Sequence, residues 1–191
     1  MSSTNSSENR RSENQVTVAN DDPKFKIKKQ AVVGIALAAL SHLKYTRARL
    51  SLIFTSDQVI KKLNQRFLNH NQPTDVLAFP SPVIPAKAGI QNVDPRLKHS
   101  GMTSLGEVII SPKRALVQAP IYEATFGEEL ARYICHGILH LAGFKDKTRK
   151  DQRQMRQQEN QILKLCRTNI QYLCHSRESG NPWIPDKNIR G

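Results

Sequence analysis

Cysteine, aromatic residues and long apolar runs are all scarce in this chain of 191 residues. The three cysteines, Cys135, Cys166 and Cys174, form no Cys-x-x-Cys pair, which argues against a disulfide-stapled secreted protein and favours a cytoplasmic one. Aromatic residues make up 6% of the sequence, so a platform for stacking single-stranded bases is not evident. The longest apolar run, Ala31 to Leu40, is too short to span a bilayer, and residues 1–20 lack the apolar core of a secretory signal. We therefore expect no membrane association.

Acidic residues are also under-represented, which bears on the kind of partner. The chain has 16 Asp and Glu against 29 Lys and Arg, for a formal net charge of +13. Segments 30–80 and 104–174 alone hold 17 basic and 9 acidic residues, a net of +8, so the excess belongs to the fold itself. Such a balance favours an anionic partner, most simply nucleic acid, through phosphate neutralisation and counterion release. An ordinary solvated basic surface is the alternative.

The length of the chain fits one domain with a hydrophobic core. Along the sequence, the spacing of apolar residues alternates between that of helices and that of strands. Strand patterns cover 49–55, 75–79 and 105–111, and helix patterns cover 30–43, 56–68, 112–119, 126–142 and 148–168. This alternation predicts an α/β (α+β) fold. In the second helix we expect four residues to face inward: Val59, Ile60, Leu63 and Phe67.

Three segments do not fit this plan. Residues 1–24 are rich in Ser, Asn and charge, so we expect a disordered N-terminal arm before a domain over 25–174. Residues 81–103 separate two strands with Pro, Lys and Gly, and residues 175–191 have a similar character. Pro82-Val-Ile-Pro-Ala-Lys87 echoes Pro182-Trp-Ile-Pro-Asp-Lys187, and both resemble the translated products of dispersed genomic repeat elements. We interpret the two segments as an insertion loop and an appended tail.

Two histidines, a glycine and a carboxylate are spaced as in a catalytic metal site in His136-Gly-Ile-Leu-His140-Leu-Ala-Gly143-Phe-Lys-Asp146. Histidines four residues apart lie on one face of a helix, so both imidazoles reach a single ion. Gly143 permits the left-handed residue that ends a helix, and the turn would return Asp146 toward the imidazoles. Two histidine nitrogens, one carboxylate oxygen and an open position make the usual plan of a catalytic zinc site. We therefore predict one zinc ion per chain on His136, His140 and Asp146, at the end of a central helix.

The same spacing matches the metzincin pattern H-E-x-x-H-x-x-G-x-x-H at its ligand and glycine positions, with two differences. Gly137 stands where metalloproteases carry the glutamate that acts as general base, and Asp146 replaces the third histidine. A zinc peptidase with this site would therefore lack its general base. Two ordinary histidines on an amphipathic helix are the other explanation, and the added glycine and carboxylate argue against it.

The motif from His136 to Gly143 closely resembles the signature of the YbeY family, bacterial endoribonucleases that act in ribosomal RNA maturation. Leu63-Asn64, Pro73-Thr74-Asp75-Val76-Leu77-Ala78-Phe79 and Leu105-Gly106-Glu107-Val108-Ile109-Ile110-Ser111 also resemble family segments, in the family's order. The likeness implies a single small domain with a mixed sheet of about four strands and a catalytic metal, zinc. It further implies a cytoplasmic, single-strand-specific endoribonuclease that acts in maturation of the 16S 3′ end and in ribosome quality control. Its partners would be ribosomal RNA and the small ribosomal subunit, with no obligate protein partner evident.

Two positions depart from the commonest form of the family. Asp146 replaces a third histidine ligand, and Leu68 replaces an arginine thought to contact RNA. A variant branch resembling this chain pairs Leu-Asn-His at 68–70 with Lys-Asp-Lys at 145–147, so we interpret Asp146 as a true ligand. The candidate RNA contacts are cations beside the metal motif and near Leu68: Lys145, Lys147, Arg149, Lys150 and Arg66. A solvated basic loop is the alternative for them.

The resemblance leaves the chemistry partly open. Either a water activated by the metal attacks phosphorus, or a base activates the neighbouring 2′-OH. Glu107 and Asp75 are candidate bases near the metal, although hydrogen bonding at strand ends explains these two residues better. Three hypotheses follow: a zinc-dependent endoribonuclease with His136, His140 and Asp146 as its catalytic residues, an RNA- or ribosome-binding assembly factor with little cleavage, and a zinc peptidase.

Overall fold

The structure is a computed structural model that describes residues 13–81 and 103–173. Within these residues a four-stranded sheet is covered by helices, and every predicted helix and strand occurs with ends shifted by a few positions. The strands are β1 Gln15–Asn20, β2 Ala48–Phe54, β3 Val76–Pro80 and β4 Thr103–Ile110. The helices are α1 Lys29–His42, α2 Asp57–Leu68, α3 Pro112–Gln118, α4 Phe126–Leu141, α5 Arg149–Leu165 and α6 Arg167–Gln171, with a 3-10 turn at Ala119–Tyr122.

The sheet is mixed, in the order β1-β2-β4-β3, which confirms the expected architecture. β2 pairs in parallel with β1 and with β4, whereas β3 runs antiparallel to β4 at the other edge. Because side chains alternate across a strand, β2 turns Leu50, Leu52 and Phe54 to one face, where they are fully buried. α1 and α4 cover this face and complete the main core.

β1 corrects the expectation that residues 1–24 form a disordered arm. Gln15–Asn20 pairs residue by residue with Arg49–Phe54 of β2, and Val16 and Val18 pack against the main core. The side chain of Asn14 joins the two segments, because it donates to the carbonyl of Tyr45 at 2.7 Å and accepts from the amide of Ala48 at 2.8 Å. The polar composition of residues 1–24 does not predict this short alternating strand. The strand is stabilised by pairing with β2, which is distant in sequence. Residues 1–12 lie outside the described residues.

α2 covers the opposite face of the sheet, and here the predicted inner face of the helix is partly wrong. Ile60 is fully buried with Leu77 and Ile109, and Leu63 packs against them. Val59 and Phe67, however, are 45% and 56% exposed. α2 is the helix that packs on this small apolar cluster, so its buried stripe is narrower than the sequence pattern suggests.

The predicted insertion loop 81–103 is described at its two ends, and residues 82–102 and the tail 175–191 lie outside the described residues. Thr103 begins β4, so the insertion ends one residue earlier than expected. The Ser81 amide donates to the carbonyl of Leu105 at 3.0 Å, and the hydroxyls of Ser81 and Ser104 are 2.7 Å apart. The antiparallel pair of β3 and β4 is therefore held together directly beside the insertion.

Candidate metal centre

α4 presents the two motif histidines on a well-anchored helix. It begins with a capping box in which Thr125 and Glu128 satisfy each other's backbone amides, and it buries an apolar face that includes Leu130, Ile134 and Ile138. His136 and His140 lie one turn apart at the edge of that face, with ring centroids 4.4 Å apart and side chains 23% and 28% exposed. Both imidazoles are thus fixed by a rigid helix while they still reach solvent.

The turn after α4 brings the predicted third ligand back to the histidines. Gly143 adopts φ 92°, a left-handed conformation that favours glycine, and the Phe144 amide donates to the carbonyl of Leu139 at 3.0 Å. The Oδ2 atom of Asp146 consequently lies 3.9 Å from Nε2 of His136 and 3.7 Å from Nε2 of His140. The ligand atoms of the three residues all lie within 4.8 Å of one another, so the structure forms the predicted cluster.

Hydrogen bonds on the far side of each ring point both Nε2 atoms at one spot. His136 Nδ1 lies 2.9 Å from Oε1 of Glu159, and His140 Nδ1 lies 3.1 Å from the carbonyl oxygen of Phe144. A carbonyl and a carboxylate accept hydrogen bonds, so each Nδ1 carries the proton and each neutral ring keeps a lone pair on Nε2. The two Nε2 atoms are 2.9 Å apart. Two lone pairs at this distance repel unless a shared proton or a metal ion lies between or beside them, and the adjacent carboxylate suits a metal ion. The donor set therefore fits a divalent metal.

Glu159 is the site residue that sequence reasoning missed. It lies on α5, is 5% exposed, and accepts from Arg132 Nη1 at 3.0 Å through its second oxygen. Burial raises its pKa, but the hydrogen bonds from His136 and Arg132 outweigh burial and hold the pKa of Glu159 below its usual value. One signal was available: Glu159 falls on the same stripe as Met155 and Ile162, where a buried acid needs a partner.

The two imidazoles differ in their affinity for a proton. Burial lowers the pKa of His136, but the hydrogen bond and charge of Glu159 outweigh it and raise that pKa above its ordinary value. Burial, together with the neighbouring His136, lowers the pKa of His140. The pair is thus arranged to hold one positive charge rather than two.

The two strand carboxylates considered as bases occupy different places. Asp75 precedes β3, where its Oδ1 accepts from the hydroxyl of Thr74 at 2.9 Å and from the amide of Val76 at 3.0 Å. The charge of Asp75 contributes to the raised pKa of His136, so Asp75 lies near the metal centre. Its own hydrogen bonds are made at the start of β3. Glu107 is exposed, and the alternation of β4 directs it away from α4, because its neighbour Val108 packs against that helix. Glu107 is therefore not a site residue.

Gly137 explains why the metzincin glutamate has no place here. A Cβ on Gly137 would collide with Cγ1 of Val108 in β4 and would lie 3.0 Å from Cγ1 of Val76 in β3. Because Gly137 has no side chain, α4 approaches the sheet closely. This close approach determines how near the neighbouring residue, His136, lies to the sheet. A glutamate at this position would displace the helix.

The candidate RNA contacts fall into two groups. Four of the five are exposed and lie beside Asp146: Lys145, Lys147, Arg149 and Lys150. Arg66 lies on α2, on the other face of the sheet, with its guanidinium 5.5 Å from the centroid of the Phe67 ring. Four of the cations thus adjoin the predicted ligand Asp146 in the chain, whereas Arg66 lies on the other face of the sheet. Leu68, at the position of the family arginine, is 53% exposed.

Comparison with known proteins decides the family. The model of the family described as Endoribonuclease YbeY matches residues 11–167. The chain belongs to the YbeY family. Among curated relatives named Endoribonuclease YbeY, that of Thermodesulfovibrio yellowstonii is 39% identical over 60% of this chain and 64% of its own length. That of Cytophaga hutchinsonii is 30% identical over 76% of this chain and 91% of its own length.

A solved structure supports the fold of this YbeY-family chain. The solution structure of TM1509 from Thermotoga maritima matches 87% of this chain and 99% of that chain, with a TM-score of 0.52 and 22% sequence identity. At this identity the likeness concerns the fold alone. In the described part of the chain, none of the helices is both long and apolar enough to cross a membrane.

Proposed function

We propose that the protein is a metal-dependent endoribonuclease that cuts single-stranded ribosomal RNA, with one zinc ion held by His136, His140 and Asp146. Membership of the YbeY family and the names of its relatives support the reaction. The observation that carries the metal requirement is the convergence of both Nε2 atoms and the Asp146 carboxylate on one spot. Two imidazoles and one carboxylate suit zinc.

We further propose a cellular setting for this activity. Maturation of the 16S 3′ end and ribosome quality control in the cytoplasm, with the small ribosomal subunit as partner, agree with the family and with a formal net charge of +13. The exposed cations beside Asp146 would hold phosphates near the metal: Lys145, Lys147, Arg149 and Lys150.

The chain's own residues have distinct tasks in this chemistry. A divalent ion at the centre would polarise a phosphoryl oxygen and lower the pKa of a water molecule. Glu159 and the Phe144 carbonyl keep the imidazoles of His136 and His140 in one tautomer and orientation. Asp146 adds a negative charge that a third histidine would not, so this centre should be a weaker Lewis acid than a three-histidine one.

The direct test is cleavage of labelled single-stranded RNA and of a duplex of the same sequence. The purified protein should cut the single strand, lose activity in a chelator and regain it with added zinc. His140→Ala should be inactive, whereas Glu107→Gln changes an exposed carboxylate that points away from α4 and should leave activity unchanged. Cleavage that survives the chelator or His140→Ala would refute the proposal.

One observation favours a second function, that of an RNA-binding assembly factor with little cleavage. Leu68 offers an exposed apolar side chain where the common family form is thought to contact RNA through arginine. This alternative predicts RNA binding without cleavage under any metal condition. A peptidase function has poor support, because Gly137 leaves no space for the glutamate base.

A further inference from the structure

α5 has a buried face and, on its outer side, a separate exposed face on which positive charges are concentrated. Met155 and Ile162 mark the face against the core. Successive residues of an α-helix are about 100° apart around its axis. By this spacing, one set of exposed residues lies within an arc of roughly 80° on the outer side of α5. The members of this stripe are Arg149, Arg153, Arg156, Asn160 and Lys164. We call its four cations the cation ladder.

The acidic residues of α5 itself are engaged away from the ladder. Among the described acids, burial raises the pKa of Glu129 on α4, and the charge of Arg156 acts to lower it. Asp151 is used in the capping box at the start of α5, and Glu159 is bonded to His136 and Arg132. Across residues 13–81 and 103–173, none of the recorded ion pairs involves a ladder cation. Exposed charges on a helix are commonly balanced by neighbours of opposite sign. An unbalanced row of four cations instead attracts a linear polyanion.

The ladder runs past the metal centre along α5, because Glu159 of this helix contacts the ligand His136. Arg149 follows Asp146 by three residues, and the stripe then extends to Lys164, about 22 Å along the helix axis. Arg132 links the two features, because its Nη1 donates to Oε2 of Glu159 at 3.0 Å and to Oδ1 of Asn160 at 3.1 Å. Asn160, the fourth residue of the stripe, is therefore linked through Arg132 to the carboxylate that orients a metal ligand.

We propose that the cation ladder is a phosphate track that holds a single RNA strand along α5, beside the metal centre. The proposal rests on the proposed function and adds a binding surface beyond the loop of Lys145 to Lys150. Amide side chains at Gln157 and Gln161 flank the ladder and can donate to phosphate or sugar oxygens. An anionic membrane is a poorer match, since the stripe carries amides and no apolar side chain that would insert into lipid.

Salt dependence of binding tests the track. The ladder variant carries Arg153→Gln, Arg156→Gln and Lys164→Gln, and the matched control carries Lys26→Gln, Lys61→Gln and Lys62→Gln. All six side chains are exposed, and the two variants have the same net charge. Binding of a short single-stranded RNA, and of a single-stranded DNA of the same sequence, is measured by fluorescence anisotropy over a range of salt with metal-loaded protein. The DNA arm reports phosphate binding independently of RNA cleavage.

The ladder variant should flatten the plot of log affinity against log salt by about 2 units, at roughly 0.7 for each lost phosphate contact. The control should keep the wild-type slope, and metal content should be the same in all three proteins. An unchanged slope in the ladder variant, or equal flattening in both variants, overturns the track. Failure of the proposed function would appear separately, as the absence of chelator-sensitive RNA cleavage, whatever the slopes are.

Discussion

Oε1 of Glu159 lies 2.9 Å from Nδ1 of His136, and this contact joins α5 to the metal ligands on α4. A carboxylate behind a ligating imidazole fixes its tautomer and increases its basicity as a ligand. Arg132 in turn holds the second oxygen of Glu159 at 3.0 Å, so the orientation of His136 depends on packing between two helices. The metal centre is thus a property of the α4–α5 pair as well as of the motif.

Replacing Glu159 should weaken metal binding without removing a ligand. We expect Glu159→Gln to lower zinc affinity about 10- to 100-fold, because an amide neither matches the charge of the carboxylate nor orients His136 as firmly. Competition with a chromophoric chelator measures the affinity. Glu107→Gln changes an exposed carboxylate on the other face of the sheet and should have no effect. Equal affinities for Glu159→Gln and wild type would mean that the contact does not support the metal.

Gly137 should be intolerant of even a methyl group. Gly137→Ala places a Cβ against Val108, and we expect a loss of about 1–3 kcal/mol in the free energy of unfolding from overpacking. Chemical denaturation measures it. Gly34→Ala is the control, because the Cβ there meets the end of the Asn169 side chain, which can rotate away. If Gly137→Ala were as stable as Gly34→Ala, the close approach of α4 to the sheet would not depend on glycine.

The basic loop beside the metal should contribute to RNA binding. Lys147→Gln combined with Lys150→Gln should weaken binding across RNA sequences and flatten the salt dependence by roughly one to two units. Zinc content should not change, because neither lysine is a ligand. Should the salt slope equal that of wild type, the phosphate contacts must be sought elsewhere, first in the cation ladder.

Removing the insertion should leave the fold intact. Ser81 and Ser104 are already in contact, so a two-residue Asn-Gly turn in place of 82–102 joins strands that are already paired. We expect a change in stability from neutral to a gain of about 2 kcal/mol, since closing a shorter loop costs less entropy. Thermal or chemical unfolding checks this. A deletion protein that cannot fold in soluble form would show that the segment belongs to the core.

The sequence predicted what is local and missed what depends on contacts distant in sequence. His136, His140 and Asp146 could be grouped because one helix turn and one glycine turn determine their positions. Glu159 could not be grouped with them, because it reaches His136 only when α5 packs against α4. β1 was missed for the same reason, since its short polar alternation becomes a strand through pairing with β2.

The metal content of the purified protein tests the central claim most directly. Elemental analysis should give one zinc ion per chain in the wild type and none in His140→Ala or in the double variant His140→Ala, Asp146→Ala. Circular dichroism of each variant checks that the fold is retained. Full occupancy in the double variant would contradict the account, because the metal would then be held by residues other than His136, His140 and Asp146.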